Sequence, residues 1–400
     1  MINLTKLWTG VAQPADGLRY GHGEGAQVAA RGRKPIVVWN ITRTCNLRCV
    51  HCYSDSNAQQ YPGELDWEQM QAVVADLAAY QVPSLLFSGG EPMIHPRFFD
   101  LVDLSTAAGL KLTISTNGTL ITPEKAALLK AANVAYVGIS LDGIGPVHDE
   151  FRRKEGAFDA AVRGFKHCHE VQQKTGLRLT LPRHNVENIE QILDFIEDQQ
   201  IQRVCFYHLV PAGRGSELQV LEPEEARHAL DTLIARVEAW HKQGIDRELL
   251  TVTQPADGPY LLVRMQRENH PNLEEATRLL AWNGGGANSS GRGIANIDTR
   301  GDVHPDQFWQ DMLLGNVKQM PFSQIWDGAN PGSADILASI RSIGLLSLEE
   351  RQARMSGPCA ECKWFGICGG GFRTRAAFAN YGSLWGSDPG CYLRPEEIRA

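Results

Sequence analysis

Short runs of aliphatic and β-branched residues alternate with amphipathic stretches from Ile36 onward. The runs are Ile36 to Ile41, Ser84 to Phe87, Leu110 to Ser115, Val134 to Leu141, Leu177 to Leu181 and Arg203 to His208. Between them apolar residues recur at three- and four-residue spacing, as in Trp67 to Tyr80, Pro123 to Ala132, Phe158 to Lys174 and Ile189 to Gln199, the period of a helix that buries one face. Strand and helix repeated six times, with buried-looking strands, predicts a parallel sheet joined by right-handed crossovers. An open doubly wound sheet and a full or partial β/α barrel both satisfy the pattern. In either, ligands gather at the carboxyl ends of the strands.

The rhythm ends after a helix predicted over Pro223 to Gln243. Four parts are expected: a lead-in over 1–35, the strand–helix domain over 36–245, a connection over 246–300 and a C-terminal module over 301–400. The lead-in is Gly-rich and lacks a period, and the connection contains Asn283 to Gly293, rich in glycine and serine. The glycine segments around Gly23 and Gly285 read as covers that keep water from a reactive site, or as plain linkers.

Composition narrows the class. With 400 residues, 43% hydrophobic and 21% charged, the chain can bury a large core, which excludes disorder and a small disulfide scaffold. A formal charge of −7 gives no net field toward nucleic acid or an anionic membrane, so neither is an expected partner. Any anionic ligand must meet a local basic cluster. Neither a secretory leader nor a stretch of about 18 apolar residues is visible, so the expected address is cytoplasmic. There, nine cysteines suggest metal ligands or catalytic thiols more than disulfides.

Directly after the first predicted strand stands Thr42-Arg43-Thr44-Cys45-Asn46-Leu47-Arg48-Cys49-Val50-His51-Cys52-Tyr53, a CxxxCxxC. Structural zinc would need a fourth ligand, and the nearest, His51, is wedged between two of the cysteines. Three thiolates suit a [4Fe–4S] cluster with one iron left open. This motif, with its trailing aromatic Tyr53, resembles the signature of radical S-adenosylmethionine (SAM) enzymes. The resemblance, over roughly residues 36 to 215, implies a partial (β/α)6 barrel. It also implies that SAM is chelated on the open iron and cleaved to a 5′-deoxyadenosyl radical that takes hydrogen from the substrate. A low-potential electron donor is implied as partner.

Further matches fall at successive strand ends. Gly89-Gly90-Glu91-Pro92 resembles the turn where glycines admit the SAM amino group and Glu91 neutralises it. Ser115 and Asn117 resemble the step near the SAM carboxylate, Ser140 and Asp142 the ribose step, and His208 and Val210 the adenine rest; Arg153 is a further implied SAM contact.

Near the C-terminus, Cys359, Cys362, Cys368 and Cys391 form a CxxC followed by two more cysteines. Spacing alone would satisfy a zinc ribbon. The run is similar to the SPASM and twitch extensions of radical SAM enzymes, which hold auxiliary Fe–S clusters. Asp306 and Phe372 stand where the full pattern has cysteines, so the resemblance implies one auxiliary [4Fe–4S] centre and two clusters in all. Cys168 and Cys205 belong to neither set and read as core residues.

Four further stretches, including Asp302-Val303-His304-Pro305-Asp306-Gln307-Phe308 and Trp385 to Tyr392, are similar to the branch that acts on sirohaem-derived tetrapyrroles, chiefly haem d1 biosynthesis. The implied reaction is processing of the two propionate side chains of 12,18-didecarboxysirohaem, started by hydrogen abstraction from a propionate carbon. Sister reactions, acetate removal or propionate decarboxylation, are the near alternatives; peptide modification and a non-enzymatic cluster scaffold are remoter ones. A ligand with several carboxylates wants arginines, and Arg152, Arg214, Arg292, Arg373 and Arg375 are candidates. An axial imidazole for substrate iron would come from His22, His208 or His304.

Overall fold

The computed structural model describes residues 1–13, 16, 20, 34–283 and 289–399. Its strands are β1 Ile2–Asn3, β2 Ile36–Thr42, β3 Leu85–Gly89, β4 Leu112–Thr116, β5 Tyr136–Ser140, β6 Thr175–Leu181, β7 Arg203–His208, β8 Glu248–Val252, β9 Ile294–Ile297, β10 Asp302–His304 and β11 Gly315–Asn316. They form one sheet in the order β1-β8-β7-β6-β5-β4-β3-β2-β9-β10-β11. From β2 to β8 every neighbour is parallel and in chain order, as a partial barrel requires. The six predicted strands are β2 to β7, and the helices Trp67–Ala79, Pro123–Ala131, Ala157–Glu170, Ile189–Asp198 and Pro223–Lys242 fall where the periodicity placed them. Their starts are chemically marked. Asp66 accepts from Gln69 N in a capping box, and Thr122 caps a helix that opens on Pro123, satisfying N–H groups that have no partner within the helix.

Register sorts the strand residues into two faces. Val37, Trp39, Leu85, Phe87, Leu112, Ile114, Val137, Ile139, Leu177, Leu179, Val204 and Phe206 share one face and all belong to the main core, under the helices. The alternate residues face the lumen and are mostly small or polar: Asn40, Ser88, Thr113, Ser115, Gly138, Ser140, Arg178, Thr180 and Tyr207. Alternation of period two thus gives an apolar outside and a polar inside.

Two expected parts differ. Residues 246–300 hold β8, the helices Asp257–Arg267 and Leu273–Asn283, and β9, which pairs parallel to β2 and extends the sheet. Pro255, Pro259 and Pro271 interrupt the sequence there and mask helices that are real. The described part of the lead-in carries β1, antiparallel to β8, and the helix Leu4–Thr9, capped by Asn3 and burying Leu4, Leu7 and Trp8. Six residues are too few for a helical period to show in sequence. The proposed covers around Gly23 and Gly285 lie outside the described residues. Among the described residues, no helix is long and apolar enough to cross a membrane.

The C-terminal cysteine segment spans both flanks of the strand array. On the β8 side Gln254 Nε2 donates to Gly390 O at 2.5 Å, Tyr392 Oη to Asp257 Oδ1 at 2.6 Å, and Arg227 forms a two-pronged pair with Glu397 at 2.8 Å. On the β10 side Thr374 Oγ1 donates to Asp306 Oδ2 at 2.7 Å. The hydrogen bonds from Arg227 hold Glu397 down from the ordinary 4.5 to about 2. A depressed carboxylate stabilises the fold fully above its unfolded pKa and loses that contribution as pH falls toward the folded value. Arg227→Met leaves a buried carboxylate short of its main partner and is expected to cost about 3 kcal/mol near neutral pH. In denaturant titrations the deficit against wild type should shrink as pH falls from 4.5 toward 2; a deficit independent of pH would refute the assignment to this pair.

Candidate functional site

The loop that follows β2 has little regular structure of its own and is folded back on itself. Cys45 N donates to Asn57 O at 2.8 Å, and Thr44 and Asn57 form an isolated bridge. Cys45, Cys49 and Cys52 pack into one small cluster with Leu47 and Ala157. Each sulfur faces a donor: Leu47 N points at Cys45 Sγ, Arg152 Nη1 at Cys49 Sγ and Ser56 N at Cys52 Sγ, all at 3.4 Å. Such donors favour thiolate. Burial opposes it, pushing Cys45 up to about 12 and Cys49 upward as well, so the thiolates need a compensating cation. Among the described residues no three His, Cys, Asp or Glu side chains converge closely enough for a single metal ion. A donor set of three thiols grouped on one loop fits a multi-iron cluster.

The loop is held from the strand ends. Gly89, at φ 134°, would place a Cβ 2.2 Å from Thr42 O, and a Cβ on Gly90 would lie 2.3 Å from Thr44 O. Their backbone therefore packs against Thr42–Thr44, with Gly90 N donating to Thr42 O and Glu91 N to Thr44 O; the space these glycines free is taken by the cysteine loop itself. Glu91 is fully buried, and accepts from Thr116 Oγ1 at 2.8 Å, Asn117 N at 2.8 Å and Met93 N at 3.2 Å. Burial raises its pKa against those bonds. Asn117 Nδ2 in turn donates to Asn46 Oδ1 at 2.9 Å. These residues brace the loop from β3 and β4.

From the β5 side, Asp142 is buried, takes Thr180 N at 2.7 Å and forms an ion pair with Arg152. Burial alone would raise Asp142, and the adjacent guanidinium outweighs it, so the carboxylate is held below its ordinary range. Arg152 is thereby engaged between Asp142 and the Cys49 sulfur, which corrects its reading as a substrate anchor. Arg214 is likewise closed on the loop: it donates to Cys49 O at 2.9 Å and Ser56 O at 2.8 Å and pairs with Asp55. His51 is stacked on Phe151 at 4.6 Å and driven by burial down to about 4, a neutral packing residue. Arg153 is exposed, in the left-handed C-cap of Pro146–Arg152.

Tyr53 reaches into the lumen, its hydroxyl bonded to Asn40 Oδ1 at 3.0 Å and Ser88 Oγ at 3.2 Å. Ser115 and Ser140 lie half-buried on the same face. His208 and Val210 are buried at the end of β7, with His208 Nε2 3.2 Å from Asp257 Oδ2, so this imidazole already has a carboxylate neighbour. His304 is buried, with its Nδ1 3.0 Å from Met312 O. Arg292 lies in the turn whose Gly293 O accepts from Ile36 N, at the opposite end of β2 from the cysteine loop. His22 lies outside the described residues. Cys168 is buried in the helix Ala157–Glu170 as a core residue, and Cys205 is buried in β7 on the lumen face, in register with Arg178.

Cys359, Cys362, Cys368 and Cys391 line a single pocket, together with Gln254, Phe365 and Gly370. Burial raises all three of Cys362, Cys368 and Cys391, the last to about 11. Beside the pocket, Arg373 donates to Gly386 O at 2.8 Å and Leu384 O at 3.1 Å while its Nε and Nη2 are buried without partners. An unpartnered guanidinium edge near four thiols fits an anionic thiolate cluster. Arg375 is closed on Asp388 through two bonds of 2.7 and 2.8 Å. What the sequence reading missed is Arg178 with Tyr207. The signal was the alternation Leu177-Arg178-Leu179-Thr180-Leu181, which puts a cation inside the barrel.

The matrix of similarity agrees with this geometry. The family model described as the radical SAM superfamily matches residues 39–196. Fe-coproporphyrin III synthase of Methanosarcina barkeri is 43% identical over 100% of this chain and 99% of its own length. Pre-heme d1 synthase of Dinoroseobacter shibae is 39% identical over 92% of this chain and 89% of its own. The solved structure of Streptococcus suis SuiB bound to S-adenosylmethionine shares the fold at TM-score 0.67 and 16% identity, covering 92% of this chain and 80% of that one. The chain belongs to the radical SAM superfamily and, within it, to the enzymes of haem and porphyrin biosynthesis.

Proposed function

We propose that this enzyme removes the two acetate side chains remaining on 12,18-didecarboxysirohaem, giving iron coproporphyrin III. Cys45, Cys49 and Cys52 would hold the SAM-binding [4Fe–4S] cluster, and Cys359, Cys362, Cys368 and Cys391 an auxiliary one. The observation that carries the reading is a loop of three thiols opening on a polar barrel lumen, in a chain alike over its whole length to a protein named Fe-coproporphyrin III synthase. With SAM on its open iron, the first cluster supplies one-electron cleavage and hence a carbon radical. The chain's own part is to keep the loop rigid and to shape the lumen. Arg152 and Arg214 fix the cysteine loop, Glu91 and Asn117 brace it, and Ser115, Ser140, Tyr53 and Val210 border the space for SAM. The haem d1 branch, in which propionates are removed, stays as the second reading because the pre-heme d1 synthase likeness extends over 92% of the chain.

Anaerobic incubation with SAM, a low-potential reductant and 12,18-didecarboxysirohaem, followed by mass spectrometry, separates them. Loss of two acetic acid equivalents with all propionates retained is the expected product. A product lacking propionates would transfer the assignment to the haem d1 branch, and unchanged tetrapyrrole would end both readings.

The cluster assignment has its own readout. Wild type is expected to carry about eight iron atoms per chain, and about four after Cys45→Ala, Cys49→Ala and Cys52→Ala together. That triple variant should form 5′-deoxyadenosine only at background. Chelatable zinc in place of the second four irons would show the C-terminal set to be a structural zinc site.

A further inference from the structure

We infer that Arg178, with Tyr207, grips a side-chain carboxylate of the tetrapyrrole inside the barrel. The inference rests on the tetrapyrrole reading and adds to it the residue that holds the ligand. Arg178 lies on β6, in register with Ser140 at the end of β5, on the polar lumen face. Its Nη2 donates to Tyr207 Oη at 2.6 Å and its guanidinium lies 5.0 Å from that ring. It is only half-buried, so water reaches it.

On the lumen face Arg178 has no counter-ion among the described residues, which sets it apart from the arginines that are closed on carboxylates. Arg152, Arg214, Arg375 and, on the same lumen face, Arg203 each have a carboxylate, the last Glu248 at 3.3 Å. Among the described residues none lies within ion-pair distance of Arg178. A guanidinium stays ionised at any working pH, and placing it inside a barrel without an anion is costly unless an anion arrives. The room for it is specific. A Cβ on Gly138 would stand 2.6 Å from Arg178 Cδ and 3.3 Å from its Cγ, so glycine on β5 is what leaves room for the side chain against the neighbouring strand. Gly138 has ordinary backbone angles, so space and not conformation demands the glycine. The arginine is therefore accommodated at a cost to the neighbouring strand, on the face where Tyr53 extends from the residue after Cys52. A planar fork in that position matches a carboxylate in two-pronged geometry. The tetrapyrrole carries several carboxylates; SAM carries one, and the experiment separates these sources.

The test is absorbance titration of the reconstituted protein with iron coproporphyrin III and with its tetramethyl ester, alongside SAM binding. Arg178→Gln is expected to weaken the acid about 10- to 100-fold, as loss of charge-assisted hydrogen bonds does, with Arg178→Lys intermediate. The ester should bind wild type and Arg178→Gln alike. Equal iron content and equal SAM affinity in the variants would show that fold and cofactor site are intact. Unchanged affinity of Arg178→Gln for the acid overturns the inference alone. So does a loss confined to SAM, which would make SAM's carboxylate the partner. Should Arg178→Gln fail to retain iron, the acid-to-ester ratio in wild type decides together with Arg178→Lys: equal binding of acid and ester overturns the inference. If wild type binds neither porphyrin, the tetrapyrrole reading itself fails, and this inference with it.

Discussion

The constraint on which the structure depends is that three thiolates must be held close together, away from water, by a loop that has almost no secondary structure. Neighbouring negative charges in a low-dielectric place repel, and burial already pushes Cys45 and Cys49 toward the neutral thiol. The loop is consequently fixed from outside, with a tie from each adjoining strand end. β3 supplies the Gly89–Gly90 backbone, β4 supplies Asn117, and the segment after β5 supplies Asp142 and through it Arg152. Arg214, after β7, closes the far side. Parallel strands bring all of these to one rim, so the barrel acts as the jig for the cysteines. It would do so with any substrate, and for that reason the rim alone does not declare one.

How much of this was visible in sequence follows from the same physics. β2 to β7 were legible because one face of each is continuously apolar, and the cysteine loop because its spacing has no other economical explanation. β8, β9 and the N-terminal strand and helix were not, being two to six residues long. Asp142 and Glu91 were found, but their engagement was not. A carboxylate's code does not tell which protein groups it holds, and only the structure shows those partners at 2.7 to 2.8 Å.

Arginine makes the point more sharply. Sequence order favoured those near strand ends or near the second cysteines, on the ground that an anionic substrate in a protein of net charge −7 must meet local cations. Arg152, Arg214 and Arg375 neutralise charges belonging to the protein, and a cation without such a duty, Arg178, stands in the middle of a strand. Its mark was a polar residue at an alternate position in a strand otherwise fit for complete burial, which in a parallel barrel means a lumen that is not filled by apolar side chains.

The same reasoning makes the C-terminal module a wall of the lumen and not a separate lobe. Asp306 stands where the related pattern has a cysteine, yet it is buried and accepts from Ser290, Thr374, Phe308 N and Trp309 N. Four donors leave its oxygens little capacity for a metal, so the position has become a brace. The turn it fixes presents Phe308 edge-on to Tyr53 at 5.4 Å and to Phe372 at 6.2 Å. Tyr53 directly follows the last cysteine of the first site, and Phe372 lies four residues past Cys368 of the second. A row of three rings therefore joins the two thiol sites, while Arg227, Gln254 and Asp257 tie the opposite flank. Movement of the module would change the lumen and the cysteine loop together, and a ligand held between Arg178 and that aromatic row would touch both.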